Sequence, residues 1–490
     1  MAIDLTAYRH EAEEFLQSLD REYYLHFSGQ QDDFEIEPIY DRHGGLFARE
    51  AVDGLREAGA APALVEFAAH GHLGRETKSQ SAELARCEAA LEVEWDGGRI
   101  PFRSAAVVQA NEPDPSRRAE LERARNALTE SELNPLLREV LDRSHALAKE
   151  LGWPSYTAMC DELSGIDLRA LEAQTTAFLE ATEDGYEELV EPQLRRQVGL
   201  GFGDLRRSDL AAFFRAPALD AGFPPERLAA SLTETLAGMG IDVAAQPGVR
   251  IDMERRPKKS PRAFCAPVRV PDEVYLVIAP VGGREDFAAL FHEAGHTEHY
   301  ASVDRELPFE DRYLGDNSVT EGFAFLFEHL VSNPGWLGRR LGIEDPAPIV
   351  DHARASKLVF LRRYAAKLAY ELELHGGGPA DGAEEAYARG LSDAVHVDWP
   401  RSSWLADVDA FFYAARYLRA WVLETHMRAG LHDRFGPEWF EEREAGDFLL
   451  DLWRRGQGAD GGEGILEAVG GSELDFRVLR DDLAHRPNLT

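Results

Sequence analysis

Phe291-His292-Glu293-Ala294-Gly295-His296-Thr297-Glu298-His299-Tyr300 is the stretch from which the rest of this 490-residue chain is read. On an α-helix, His292 and His296 stand four apart and project from one face with about 5–6 Å between Cβ atoms, so two imidazoles can close on one zinc ion. Glu293, next to the first histidine, is then placed to work on a water that the metal activates. Phe287, Leu290 and Phe291 give the preceding turn a buried side, and Gly295 removes side-chain bulk beside the metal position. The alternative is a helix that turns a polar His-Glu pair to solvent.

Working outward, a second acidic residue follows 25 positions after His296, in Asp316-Asn317-Ser318-Val319-Thr320-Glu321-Gly322-Phe323-Ala324-Phe325-Leu326-Phe327-Glu328. A catalytic zinc usually takes three protein ligands and keeps a fourth position open, and Glu321 would complete a His₂Glu set. Phe323, Leu326 and Phe327 mark a largely buried helix, where a carboxylate needs a cation or hydrogen bonds. The competing reading is a helix-terminal glutamate near the positive end of the dipole. Glu328, seven residues further on, is read as a supporting or salt-bridged residue, and His299 as packing beneath the site.

These residues carry a family resemblance. The His292 to His296 helix, Glu321 at its spacing, the segment from Ala263-Phe264-Cys265-Ala266-Pro267 to Val274-Tyr275-Leu276-Val277-Ile278, and a late tyrosine-rich helix together resemble the thimet oligopeptidase and oligoendopeptidase F family of zinc peptidases, in the glutamate-zincin group. The resemblance covers roughly residues 250 to 480 with specific motifs and the N-terminal half only in helical character. It implies a mainly α, large two-lobed body with a deep central cleft for short peptides and a small β element beside the zinc helix. The lobes expected are 1–250, mainly helical with a β-hairpin near 90–109, and 251–490, which binds the zinc; they are lobes of one peptidase fold rather than independent domains.

The resemblance also implies an oxyanion donor from a late helix. Phe411-Phe412-Tyr413-Ala414-Ala415-Arg416-Tyr417-Leu418 is the best match, and its Arg416-Tyr417 pair resembles a segment of angiotensin-converting enzyme. Tyr413 and Tyr417 are four apart and share a helix face. Core packing is the alternative for both. The family's histidine about a dozen residues upstream is missing: position 405 is leucine and the nearest upstream histidine is His396, which leaves the second donor open. Arg416 is a candidate anchor for a peptide carboxylate through a bidentate contact, or else a structural salt bridge.

The β-rich runs Ala266–Val270 and Val274–Ile278, separated by Pro271-Asp272-Glu273, read as a hairpin leading through Gly282-Gly283 into the zinc helix. An extended peptide can pair with the open edge of such a strand, which holds it by backbone bonds whatever its side chains. Cys265 reads as a small packed residue.

Composition agrees. With 53 Lys and Arg against 88 Asp and Glu, the formal charge is −35, and there are only six lysines. That argues against nucleic acid or an anionic membrane as partner, the acidity itself being a solubility feature, while the resemblance implies short peptides as substrates. The three cysteines, Cys87, Cys160 and Cys265, form neither a disulfide framework nor a zinc-ribbon pattern, so the cytoplasm is the expected compartment. No basic, then apolar, leader and no run of about 18 apolar residues is present.

Helical periodicity dominates elsewhere. It predicts helices over Leu5 to Phe27, Leu46 to Ala58, Pro62 to Ala69, Ser116 to Leu151 and Leu168 to Gln197, with a hairpin turning at Asp96-Gly97-Gly98 and a glycine-rich break at His375-Gly376-Gly377-Gly378-Pro379. The activity expected is hydrolysis of peptide bonds in oligopeptides. A zinc carboxypeptidase or dipeptidyl carboxypeptidase is the alternative, and a non-catalytic peptide-binding protein is disfavoured because it has no use for Glu293.

Overall fold

Asp4 caps the first helix, Leu5–Phe27, by accepting from the backbone N–H groups of Thr6 and Ala7, and a buried stripe of Tyr8, Ala12, Phe15 and Tyr24 gives it one inward side. The structure is a computed structural model that describes residues 3–376, 382–458 and 461–485, so Gly377-Gly378-Pro379 of the glycine-rich break lie outside the described residues. The fold is mainly α, as expected, with two small sheets. No described helix is long and apolar enough to cross a membrane.

The chain groups into two compact units. One comprises Met1–Ala69, Leu219–Val350 and Arg416–Thr490, the other His70–Ala218 and Asp351–Ala415. Both are discontinuous in sequence, whereas the lobes expected above are single segments meeting at 250/251.

In the first unit, β3 (Val249–Asp252), β4 (Phe264–Arg269) and β5 (Glu273–Val277) form a sheet in the order β3-β5-β4. The hairpin expected from the sequence is present as the antiparallel β4–β5 pair, but β5 is central, because β3 adds in parallel on its other side. The sheet is therefore open along β4. Tyr24 stacks on Tyr275 with ring centroids 3.7 Å apart and joins Ala266, Val268 and Val277 in a core cluster, which seats the first helix on the sheet.

In the second unit, β1 (Glu92–Trp95) and β2 (Gly98–Pro101) make the expected antiparallel hairpin, and Val93 packs with Phe102, Ala105, Leu121 and Leu133. The helical stretch expected over Ser116 to Leu151 consists of helices Pro115–Leu128 and Asn134–Glu150 with a wider turn at Thr129–Leu133 between them. Pro135 at the start of the latter explains the break, since proline supplies no N–H to continue the ladder. The 31-residue helix Leu168–Val198 ends at Gly199, whose φ of 74° is the left-handed conformation that glycine adopts freely.

Candidate metal centre

Helix Arg284–Ser302 carries the motif. Its entry is fastened by Asp286, whose Oδ2 accepts from the N–H groups of Val281 and Gly282, and by Asp220, which accepts from the Arg284 N–H at 3.0 Å. Gly283, at φ 94°, is required at that turn, because a Cβ there would come within 2.4 Å of the Asp220 carboxylate. The partner helix, Asn317–Leu330, starts at Asp316, whose side chain accepts from the Ser318 N–H, and it is buried along most of its length.

Gly295 is where the two helices meet. A Cβ on it would lie 2.5 Å from the Phe323 carbonyl oxygen and 2.6 Å from the Ala324 Cα, so the missing side chain brings the Glu321 helix close. The sequence reading gave Gly295 the role of clearing space for a metal; its contact is with backbone instead.

This approach sets His292, His296 and Glu321 together, one ligand atom of each lying within 4.8 Å of the others. Glu321 Oε2 is 3.5 Å from His292 Nε2 and 3.8 Å from His296 Nε2. The opposite ring nitrogens have their own partners. His292 Nδ1 donates to Glu328 Oε2 at 2.9 Å, and His296 Nδ1 lies 2.8 Å from Thr320 Oγ1. The Thr320 hydroxyl also bonds Tyr300, so its hydrogen serves the tyrosine and a lone pair serves His296. With Nδ1 of each ring engaged by these partners, both Nε2 atoms face Glu321, the arrangement that metal-binding histidines need.

The electrostatics suit a cation. Burial works to lower the His292 pKa, yet the hydrogen bonds it donates to Glu321 and Glu328 outweigh it and raise it to about 10. His296 is pushed down to about 4 by burial, offset only partly by Glu321. One positive charge thus sits among two imidazoles and a buried carboxylate in the metal-free chain, where a divalent ion would replace a proton. Two imidazole nitrogens, each oriented from behind, and one carboxylate oxygen fit a His₂Glu zinc site.

Glu293 is not among the three ligand residues. Burial raises its pKa, and its carboxylate accepts the backbone N–H of Cys265 on β4. The Cys265 thiol bonds Thr297 and is held protonated by burial, consistent with a packed residue. His299 is fully buried between Tyr300 and Phe323, its pKa pushed down to about 3 by burial, and is not a member of the ligand group.

The late tyrosines divide. Tyr417, on helix Tyr413–Phe435, lies beside Phe325 with centroids 5.9 Å apart, and Phe325 meets the His292 ring edge-on at 5.3 Å. One aromatic ring therefore separates Tyr417 from a candidate ligand. Tyr413 is half-buried and belongs to the second compact unit. Arg416, expected either to anchor a substrate carboxylate or to form a structural salt bridge, is buried, ion-paired with Glu66, and donates to the Gly315 carbonyl oxygen at 3.3 Å. A guanidinium held this way has no free fork for a peptide carboxylate, and the salt-bridge alternative stands. Sequence reasoning missed Thr320, although its place beside Glu321 was a signal, and the Cys265 N–H, for which residue identity carries no signal.

No protein-family model matches the chain, and no curated protein matches it in sequence. Solved structures do match in fold. One is described as oligoendopeptidase F from Bacillus anthracis str. Ames, with 14% identity, 96% of this chain and 88% of that chain covered, and a TM-score of 0.66. Another is PZ peptidase A with an inhibitor, at 16% identity, 96% and 90% coverage and a TM-score of 0.67. At these identities the likeness establishes the fold: this chain shares, over nearly its whole length, the mainly α architecture of structures described as peptidases.

Proposed function

We propose that this chain is a zinc-dependent peptidase that hydrolyses short peptides. The observation that carries the reading is the convergence of His292 Nε2, His296 Nε2 and Glu321 Oε2, with Glu293 half-buried on the helix that carries the two histidines. Structural likeness to chains described as peptidases supports it. Zinc bound by His292, His296 and Glu321 would supply Lewis acidity and acidify water to a pKa of about 7.

The chain's own residues do the rest. Glu293, with its pKa raised by burial, takes the proton of the attacking water and returns it to the leaving amine. The Cys265 N–H holds the Glu293 carboxylate in place, so the base is tied to the strand that faces substrate. The open edge of β4 offers backbone groups to an extended peptide, independent of its side chains. Tyr417 is the favoured hydrogen-bond donor to the oxygen that becomes negative, and Tyr413 is the reserve. Commitment of Arg416 to Glu66 weighs against a carboxypeptidase, which needs a free cation for the terminal carboxylate.

The test is Glu293→Gln with a quenched oligopeptide library. The variant is expected to keep its zinc and bind peptide while turnover falls by about 10² or more. Near-normal turnover with zinc in place would refute the mechanism.

A further inference from the structure

The first helix and the open strand β4 border a cavity of about 410 Å³, lined by Asp20, Tyr23, Phe27, Arg262, Phe264 and Cys265 among others. That size accommodates a long side chain. The walls are aromatic: Tyr23 stacks on Phe27 with centroids 5.6 Å apart, and Phe27 meets Phe264 edge-on at 6.4 Å. Both Tyr23 and Phe27 are exposed, at 40% and 36%, an uncommon position for such rings unless something covers them.

Asp20 is the only carboxylate among the described lining residues. Burial raises its pKa to about 7, and among the described residues no side-chain hydrogen bond or ion pair reaches its carboxylate. Arg262, the one cation among the described lining residues, is exposed and forms no ion pair with Asp20. The cavity is also joined to the chemistry. Cys265 lines it and gives its N–H to Glu293, and the Cys265 thiol feels the charges of both Glu293 and Asp20.

We propose that this cavity is a specificity pocket for a basic side chain, arginine or lysine, of a peptide lying along β4, with Asp20 as counter-charge and Tyr23, Phe27 and Phe264 as walls. The proposal rests on the peptidase reading above. A guanidinium entering the cavity stacks against aromatic faces and meets a carboxylate that lacks a partner. A neutral aliphatic side chain would exclude water from Asp20 and offer nothing in return, and an acidic one would repel it.

The experiment uses the zinc-loaded protein and internally quenched peptides identical except for arginine, norleucine or glutamate at each position flanking the cut. Wild type is expected to favour arginine over norleucine in kcat/KM by about tenfold or more at one position, the scale of a charge-assisted hydrogen bond. Asp20→Asn, of the same shape, is expected to bring that ratio close to one; because the ratio is taken within one variant, it is insensitive to the amount of folded protein. No arginine preference at any position in wild type, or a preference that survives in Asp20→Asn, overturns the pocket. Fluorescence anisotropy with labelled arginine and norleucine peptides separates the two readings. If nothing is cut but wild type binds the arginine peptide more tightly and Asp20→Asn does not, the hydrolase reading fails and the pocket stands. If nothing is cut and the two peptides bind equally or not at all, both fail.

Discussion

Replacing Glu328 by alanine removes the group that holds His292 from behind. Its Oε2 accepts from His292 Nδ1 at 2.9 Å, which fixes the tautomer and ring angle that aim Nε2 at Glu321. Without it, the imidazole is free to carry its proton on Nε2, and the site loses a nearby negative charge. Loss of such a supporting partner costs about 10–100-fold in metal affinity, or about 1.4–2.8 kcal/mol. The Glu328 side chain is 41% exposed, so water can replace part of the bond and the effect belongs near the lower end. The assay is zinc competition against a chromophoric chelator at neutral pH, with thermal unfolding of the metal-free protein as a control for fold. Thr320→Val is the companion, since it removes the equivalent partner of His296, and Thr320 is itself buried. A loss smaller than about twofold in both variants would refute the reasoning that these contacts preorganise the ligands.

Tyr417→Phe is expected to lower kcat by about 10²–10³ with little change in KM, because the hydroxyl acts mainly when charge develops; a silent variant reassigns the donor to Tyr413. Glu298 is buried, bonded by Gln246 Nε2 at 2.8 Å, and raised by burial to a pKa of about 7. Its folded pKa exceeds the unfolded one, so the fold binds more protons, and stability present below about pH 4.5 is lost as pH rises through about 7. Thermal unfolding at acid and alkaline pH is expected to show wild type losing on the order of 3 kcal/mol more than Glu298→Gln across that window; parallel pH profiles would contradict it.

Much of this was readable in the sequence because local chemistry carries it. His292 and His296 need only the helical period to share a face, and the bounds Leu5–Phe27 follow from one amphipathic stripe with Asp4 before it. The mainly α peptidase fold was implied by the family resemblance that these motifs carry, although no family model or curated sequence matches. What escaped is long-range. Nothing within Val249–Asp252 says that it pairs in parallel with β5, which turns a hairpin into a three-stranded sheet. Asp20 looks like one more polar residue on an amphipathic helix until Phe264 and Cys265 arrive more than 240 positions later. Arg416 illustrates the converse: its partner Glu66 lies 350 residues away, so the sequence could name both a substrate role and a salt bridge without choosing.

Zinc content per chain, measured by mass spectrometry of metals on purified wild type, His292→Ala and Glu321→Ala, tests the central claim most directly. About one zinc per wild-type chain and loss of it in both variants is the expected result. Full zinc content in both variants, or none in wild type supplied with zinc, would contradict a metal centre built from His292, His296 and Glu321.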